Sequence, residues 1–289
     1  MKKIAVIGAG AMGRQIALQC ALKGVQVCLQ DIREEGLNEA EEFAHHYLDG
    51  RVAKGELSDD ESRSALASIE LTNDLAYAVS GVALVIEAIV EKIESKLELF
   101  RKLDVLCLAD TILGTSSATI RASRLAEVTG RPGRVLNIHF FNSALVMELV
   151  EIVARPEVPE EVIRPVEVFC RKIGKVPVVL RKEISGFIVN RIFRALTREA
   201  LSLYEDGYAS ADDIDLAVMK GLGHPMGPLR LLDNTGIDVS YLARLEEYKE
   251  TGVESTKPNR ILKEMYDRGE WGRKSGKGFY SYDDDNNPH

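Results

Sequence analysis

Gly8, Gly10 and Gly13 stand in the spacing G-x-G-x-x-G directly behind the apolar run Lys3 to Ile7 (KIAVI), and they open a stretch of helical periodicity. A short β-branched run of this kind suits a strand buried on both faces of a parallel sheet. From Met12 to Leu22 the residues Ile16, Ala17, Cys20 and Ala21 recur at helical spacing, and Gly24 closes the segment as a C-cap. A second strand, Val25 to Leu29, leads to Asp31, near the roughly 20-residue offset at which an acidic residue follows such a loop. The first glycine permits the tight turn, the second lets backbone N–H groups approach a pyrophosphate, and the third allows close helix–strand packing. Asp31 would accept hydrogen bonds from a ribose 2′-hydroxyl and repel a 2′-phosphate, which favours NAD over NADP; Arg33 nearby pulls the other way.

Val82 to Ile86, Thr111 to Gly114 and Val135 to Phe140 read as further parallel strands, separated by helical stretches such as Glu91 to Leu106. The expected fold class is α/β, a doubly wound Rossmann-type sheet. Between Gly36 and Ala67 the pattern changes to two charged amphipathic helices. In the first, Leu37, Ala40, Ala44, Tyr47 and Leu48 share a face; Lys54-Gly55 breaks it, and Ser58 with Glu61 makes a capping box for the second. Past Val176 to Leu180 strand signals fade, and helical periodicity begins with Phe187, Ile188, Ile192, Ala195 and Leu196. The expected organisation is an NAD-binding domain over 1–182, with the helical arm at 36–67, and an all-α domain over 183–289. The acidic stretch Asp283 to Pro288 reads as a frayed tail.

Composition narrows the partners. With 37 Lys plus Arg against 45 Asp plus Glu, the net charge of −8 offers no footprint for nucleic acid. No apolar stretch approaches the ~20 residues needed to span a bilayer. The opening Lys2-Lys3 is a poor signal peptide, because glycines interrupt the apolar run and Arg14 soon follows. Cys20, Cys28, Cys107 and Cys170 are scattered without a C-x-x-C pair, which fits a reduced, cytoplasmic setting, and no His/Cys cluster suggests a metal.

Five histidines are available for proton transfer. His45 and His46 fall in the charged arm, His224 in a Gly/Pro-rich turn and His289 at the terminus, which leaves His139 at the C-terminal end of a strand, where open α/β sheets hold ligands. A lone histidine at a strand end is ordinarily a satisfied polar residue. What sets this one apart is the surrounding text: His139-Phe140-Phe141-Asn142, then Met147 and Leu149-Val150-Glu151.

With those residues the chain resembles the L-3-hydroxyacyl-CoA dehydrogenases of the short-chain, 3-hydroxybutyryl-CoA type. The likeness runs nearly the whole length: GAGAMG at 8–13, LVIEAIVEK at 84–92, TSS at 115–117, HFFN through LVE at 139–151, GFIVNR at 186–191, HPMGPLRLLD at 224–233 and GRKSGKGFYSY at 272–282. The resemblance implies that His139 is the general acid/base and Glu151 its carboxylate partner. A carboxylate holding one ring N–H fixes the tautomer and stabilises the imidazolium. It further implies that Ser116 and Asn190 hydrogen-bond near the substrate's 3-oxygen, and that Lys54 contacts CoA. Met12 and the glycine loop, with Asp31, Glu87, Lys92 and Lys274, would contact or line the NAD site, and the helical domain would pair two subunits into a homodimer. The implied reaction is reversible NAD-dependent oxidation of a (3S)-3-hydroxyacyl-CoA to the 3-oxoacyl-CoA.

The chain departs from the family pattern in places. Gly114 replaces an Asn before TSS, Ser143-Ala144-Leu145 replaces Pro-x-Pro, and Tyr47 replaces a serine that contacts CoA, on an arm carrying Glu41, Glu42, His45 and His46. These bear on the grip on CoA and on the acyl group. Two rival functions stand beside the first: a dehydrogenase of a free hydroxy or sugar acid of the gulonate type, and a non-catalytic NAD-binding protein.

Overall fold

The computed structural model describes residues 1–283, so the acidic stretch beyond Asp283 lies outside the described residues. Two compact units divide the chain, Met1–Phe187 and Ile188 onward.

The first unit is built on an eight-stranded sheet in the order β3-β2-β1-β4-β5-β6-β7-β8. Its first six strands are β1 (Lys3–Ile7), β2 (Gln26–Gln30), β3 (Ile69–Thr72), β4 (Leu84–Glu87), β5 (Ile112–Thr115) and β6 (Val135–Phe140). β7 (Leu149–Val153) and β8 (Val176–Leu180) complete it. Every neighbouring pair is parallel except β6 and β7, which run antiparallel. Periodicity alone finds neither β3, which is short and half-exposed, nor β7. The apolar strands reflect two-sided burial: Ile4 and Val6 join one core with Leu84, Ile86 and Ile138, whereas Ala5 and Ile7 join another with Val85, Leu113 and Phe100. Each such Val, Leu, Ile or Phe side chain contributes about 1.5–3 kcal/mol on burial.

Helices cover both faces: α1 (Ala11–Ala21), α4 (Leu75–Val79), α5 (Ile93–Leu106), α6 (Ala122–Ala126) and α7 (Glu160–Lys172). The arm is α2 (Glu34–Ala53) and α3 (Asp59–Ala67). Ser58 and Glu61 form the expected capping box at α3, and Leu37, Ala40, Ala44 and Leu48 are the buried face of α2.

The second unit is helical: α8 (Val189–Glu205), α9 (Ala211–Leu222), α10 (Pro228–Thr235), α11 (Ile237–Thr251) and α12 (Arg260–Asp267). Its core includes Leu201, Ile214, Leu229, Leu232, Ile237 and Leu262. Two buried aspartates fasten the C-terminal segment to it. Asp215 accepts from the backbone N–H groups of Leu229 and Arg230 at 2.8 and 2.9 Å and from the Tyr280 hydroxyl at 2.8 Å. Asp233 accepts from the N–H groups of Phe279 and Tyr280 and from the Tyr282 hydroxyl, all within 3.0 Å. A Cβ on Gly278 would sit 2.0 Å from Asp233 Oδ1. The HPMGPLRLLD and GKGFYSY stretches are therefore two halves of one structural clasp.

The periodicity that began at Phe187 is corrected by the structure. Phe187 is not helical; it sits at φ 49°, in the left-handed region, with its ring buried against Val153 and Leu180, and the helix starts at Val189. A non-glycine residue in that region is held there by its surroundings at some energetic cost. All four cysteines are buried free thiols, and burial pushes those of Cys28 and Cys107 up to about 11. Among the described residues no helix is long and apolar enough to cross a membrane, and no group of three metal-ligating side chains occurs.

Candidate active site

The glycine loop joins β1 to α1, and each glycine has a separate reason to be there. Gly8 adopts φ +104°, and a Cβ on it would lie 2.6 Å from the Ala88 carbonyl oxygen. A Cβ on Gly13 would lie 1.7 Å from the Gly8 carbonyl oxygen. At Gly10, by contrast, nothing lies within 4 Å of the added atom. That open space adjoins the α1 N-terminus, where Gly10 is the N-cap and no side chain satisfies the first N–H groups. Unsatisfied donors, the positive end of a helix and free room together fit a pyrophosphate. Asp31 belongs to the same structure: Oδ2 accepts from Ala9 N–H at 2.8 Å and Oδ1 from Arg33 N–H at 2.9 Å. Met12, in the first turn of α1, packs half-buried against the sheet core.

His139 and Glu151 meet through the antiparallel pair. They are register partners across β6 and β7, and His139 Nδ1 lies 2.9 Å from Glu151 Oε2 with both residues buried. The carboxylate places a proton on Nδ1, which leaves the Nε2 lone pair as the base. Phe141 and Phe187 flank the imidazole, their ring centroids 4.5 and 5.5 Å away. The ring is thus fixed by one ionic hydrogen bond and two aromatic contacts.

Ser116 follows β5, its N–H donating to the Glu87 carbonyl at 2.8 Å. Its Oγ is buried and has no hydrogen-bond partner. A buried hydroxyl without a partner is costly unless something else satisfies it, so the atom fits a ligand oxygen. The loop carrying it is held from several sides. Asn137, two residues before His139 on the same face of β6, accepts from Ala122 N–H and donates to the carbonyls of Ser117 and Ile120 at 2.8–3.1 Å. Glu87 accepts from Thr115 Oγ1 at 2.6 Å, from Ile89 N–H at 2.7 Å and from Lys96 Nζ at 2.5 Å. Glu91 accepts from Ser117 Oγ and from Thr119 Oγ1, with Lys96 Nζ 3.2 Å away. Burial pushes the Glu91 carboxyl up, but the hydrogen bonds from Ser117 and Thr119, with Lys96 beside it, outweigh that and hold it below the usual carboxylate range.

Sequence reasoning misses Asn137, Glu91, Lys96 and Phe187. Lys96 was detectable, since it falls in i, i+3, i+4, i+7 register with Leu99, Phe100 and Leu103 on the buried side of α5. Glu87, which read alone looks like a surface charge, is fully buried. Its carboxylate accepts from Lys96, Thr115 and Ile89.

Residues 3–184 match the family "3-hydroxyacyl-CoA dehydrogenase, NAD binding domain", and residues 186–282 match "3-hydroxyacyl-CoA dehydrogenase, C-terminal domain". The chain belongs to the 3-hydroxyacyl-CoA dehydrogenase family. It is 35% identical to the mitochondrial hydroxyacyl-coenzyme A dehydrogenase of Homo sapiens, over 98% of this chain and 91% of that one. Identity to a 3-hydroxybutyryl-CoA dehydrogenase of Mycobacterium tuberculosis is also 35%, over 98% and 99% of the two chains. The crystal structure of (S)-3-hydroxybutyryl-CoA dehydrogenase from Ralstonia eutropha superposes with a TM-score of 0.92 at 31% identity, covering 98% of this chain and 99% of that one. The protein is an NAD-dependent oxidoreductase.

The residues that depart from the family pattern each make local contacts. A Cβ on Gly114 would meet Ile138 Cδ1 at 2.5 Å, so the core side chain fills the space that a larger residue would need. Ser143 Oγ donates to Gln15 Oε1 at 2.5 Å and ties the segment after Asn142 to α1. Tyr47 stacks near Phe43, its hydroxyl accepting from Arg51 Nη1 at 3.1 Å. Lys54 is exposed at the C-cap of α2, and Lys92 is exposed at the N-cap of α5. The other two expected site residues lie in the helical unit: Asn190 is half-buried in the first turn of α8, and Lys274 pairs with Asp238 at 2.6 Å.

Proposed function

We propose that this protein catalyses the reversible NAD-dependent oxidation of a (3S)-3-hydroxyacyl-CoA, of the short-chain 3-hydroxybutanoyl type, to the 3-oxoacyl-CoA. The observation that carries the reading is the His139–Glu151 pair at 2.9 Å beside a buried, unpartnered Ser116 hydroxyl. His139 Nε2 takes the proton of the 3-hydroxyl as the C3–O bond becomes a carbonyl, and Glu151 stabilises the resulting imidazolium. Bound NAD supplies the acceptor for the hydride that leaves C3. Ser116 Oγ hydrogen-bonds the 3-oxygen and Asn190 orients it, while Lys54 offers positive charge to the CoA phosphates. Asp31 holds the ribose, Met12 supports the glycine loop, and Lys92 and Lys274 line the nucleotide. Glu87 maintains the geometry of the Ser116 loop.

The helical unit leaves Leu216, Leu222, Val239 and Leu242 exposed, which supports a homodimer paired through this unit. Free buried thiols support a reducing, cytoplasmic setting.

The test is NADH oxidation by the purified protein with acetoacetyl-CoA, free acetoacetate or a 3-oxo sugar acid. Turnover of the thioester alone, reduced about 100- to 10,000-fold in His139→Ala, is the expected result. Turnover of the free acids instead would assign the protein to gulonate-type chemistry. NADH binding without reduction of any of the three would make it a non-catalytic NAD-binding protein.

A further inference from the structure

Asn137 lies in the middle of β6 and is fully buried. It is the register partner of Thr115, the last residue of β5, so Ser116 and His139 both lie just past one rung of the sheet. Three hydrogen bonds hold the start of the Ser116 loop. Ser116 N–H donates to the Glu87 carbonyl at 2.8 Å, Ser117 N–H donates to Thr115 Oγ1 at 3.2 Å, and Asn137 Nδ2 donates to the Ser117 carbonyl at 3.1 Å. The first tie comes from β4, the second from β5 and the third from β6, the strand that carries His139.

The rest of the amide is engaged as well. Nδ2 also donates to the Ile120 carbonyl at 3.0 Å, and Oδ1 accepts from Ala122 N–H at 2.8 Å. Ala122 is the first residue of α6, whose N-cap Arg121 makes no side-chain bond, so Asn137 satisfies one of the N–H groups that a helix start leaves open. An apolar side chain in its place would take a partner from that N–H and from two carbonyls. This accounts for a polar residue here through stability alone. The placement goes further. Side chains alternate along a strand, so Asn137 and His139 stand on one face of β6, two residues apart. The amide thus sets the Ser116 loop from the same backbone that carries the base.

We propose that Asn137 is a positioning residue of the reaction: it fixes the Ser116 hydroxyl relative to the His139 imidazole, so that both reach the 3-oxygen of one substrate. The proposal rests on the dehydrogenase reading and adds to it how the two groups are kept in step. A base and a hydrogen-bond donor that share one oxygen have to be held within about 0.5 Å of the productive geometry. A misplacement of about 1 Å costs on the order of 100-fold in rate. Being fully buried, Asn137 acts through Ser116 and not on the substrate itself.

A double-variant cycle on the full-length protein, with acetoacetyl-CoA and NADH as substrates, tests it. Asn137→Ala should lower kcat about 10- to 100-fold with little change in KM. The pH at which the kcat/KM profile bends should stay where it is in the wild type, because His139 and Glu151 are unaltered. In the Ser116→Ala background the same substitution should cost no more than about twofold, since the group it positions is gone. A purely structural amide gives a different pattern. An Asn137→Ala protein that is less stable but keeps the wild-type kcat overturns the proposal, and so do losses that multiply in the double variant. Should Asn137→Ala not fold, Asn137→Ser, which keeps a donor and an acceptor on a shorter side chain, replaces it in the same cycle with the same criteria. A wild type that does not reduce acetoacetyl-CoA is a separate failure: it removes the dehydrogenase reading and this proposal with it, whereas an active wild type isolates the role of Asn137.

Discussion

His139 and Glu151 occupy the same rung of the antiparallel β6/β7 ladder, so a separation of 12 residues in sequence becomes an ionic hydrogen bond of 2.9 Å. The carboxylate is fully buried and its histidine partner is nearly so. Glu151→Gln keeps the shape but loses the charge that sets the tautomer. We expect kcat to fall by at least about 100-fold with KM changed little, because the lost interaction is strongest as the imidazolium forms. Steady-state kinetics beside an unchanged circular dichroism spectrum checks this. A rise in KM with kcat unchanged in Glu151→Gln would instead make the residue a binding group rather than the partner of the general base.

The unpartnered Ser116 hydroxyl gives a prediction in which activity and stability part company. Since no protein group satisfies Oγ, Ser116→Ala should leave the unfolding free energy from urea denaturation within about 0.5 kcal/mol of wild type, or raise it. Its kcat/KM should nevertheless drop about tenfold or more. A loss of stability equal to that of an ordinary buried hydrogen bond would show that the hydroxyl serves the fold.

Lys96 is 1% exposed and sits 2.5 Å from Glu87, itself at 0%. Lys96→Met leaves a buried carboxylate without its cation and should cost about 3–5 kcal/mol. Adding Glu87→Gln should return part of that loss, because the uncompensated charge is then gone. Urea denaturation of the two variants decides it: a double variant no better than the single one would refute the charge argument.

Glu91 makes acid stability a readout of the Ser116 loop. Its carboxyl is held below the ordinary value of 4.5 in the folded protein, so its contribution is present in full above that value and is lost as pH falls through the folded one. The gap in unfolding free energy between wild type and Glu91→Gln should therefore be constant from about pH 7 to about pH 5 and narrow as pH drops further. A gap that widens on acidification would give the shift the opposite sign.

Local rules were enough to read the glycine loop, the strands Lys3–Ile7, Val135–Phe140 and Val176–Leu180, the Ser58–Glu61 cap of the arm and the position of His139. Each depends on the spacing of side chains within a few residues or on the backbone freedom of glycine. Ser116 and Asn190 could be singled out only by resemblance, for nothing in their immediate text distinguishes them from an ordinary loop serine or a helix-surface asparagine. Tertiary structure alone decided the antiparallel turn of β7 that sets Glu151 against His139. It also decided the left-handed Phe187, the buried Glu87–Lys96 pair and the packing of the Ile138 side chain over Gly114. These features join residues far apart in the chain, and their energies come from burial and from charges removed from water. Such terms have no local signature, because they exist only once the sheet and its helices have closed around them.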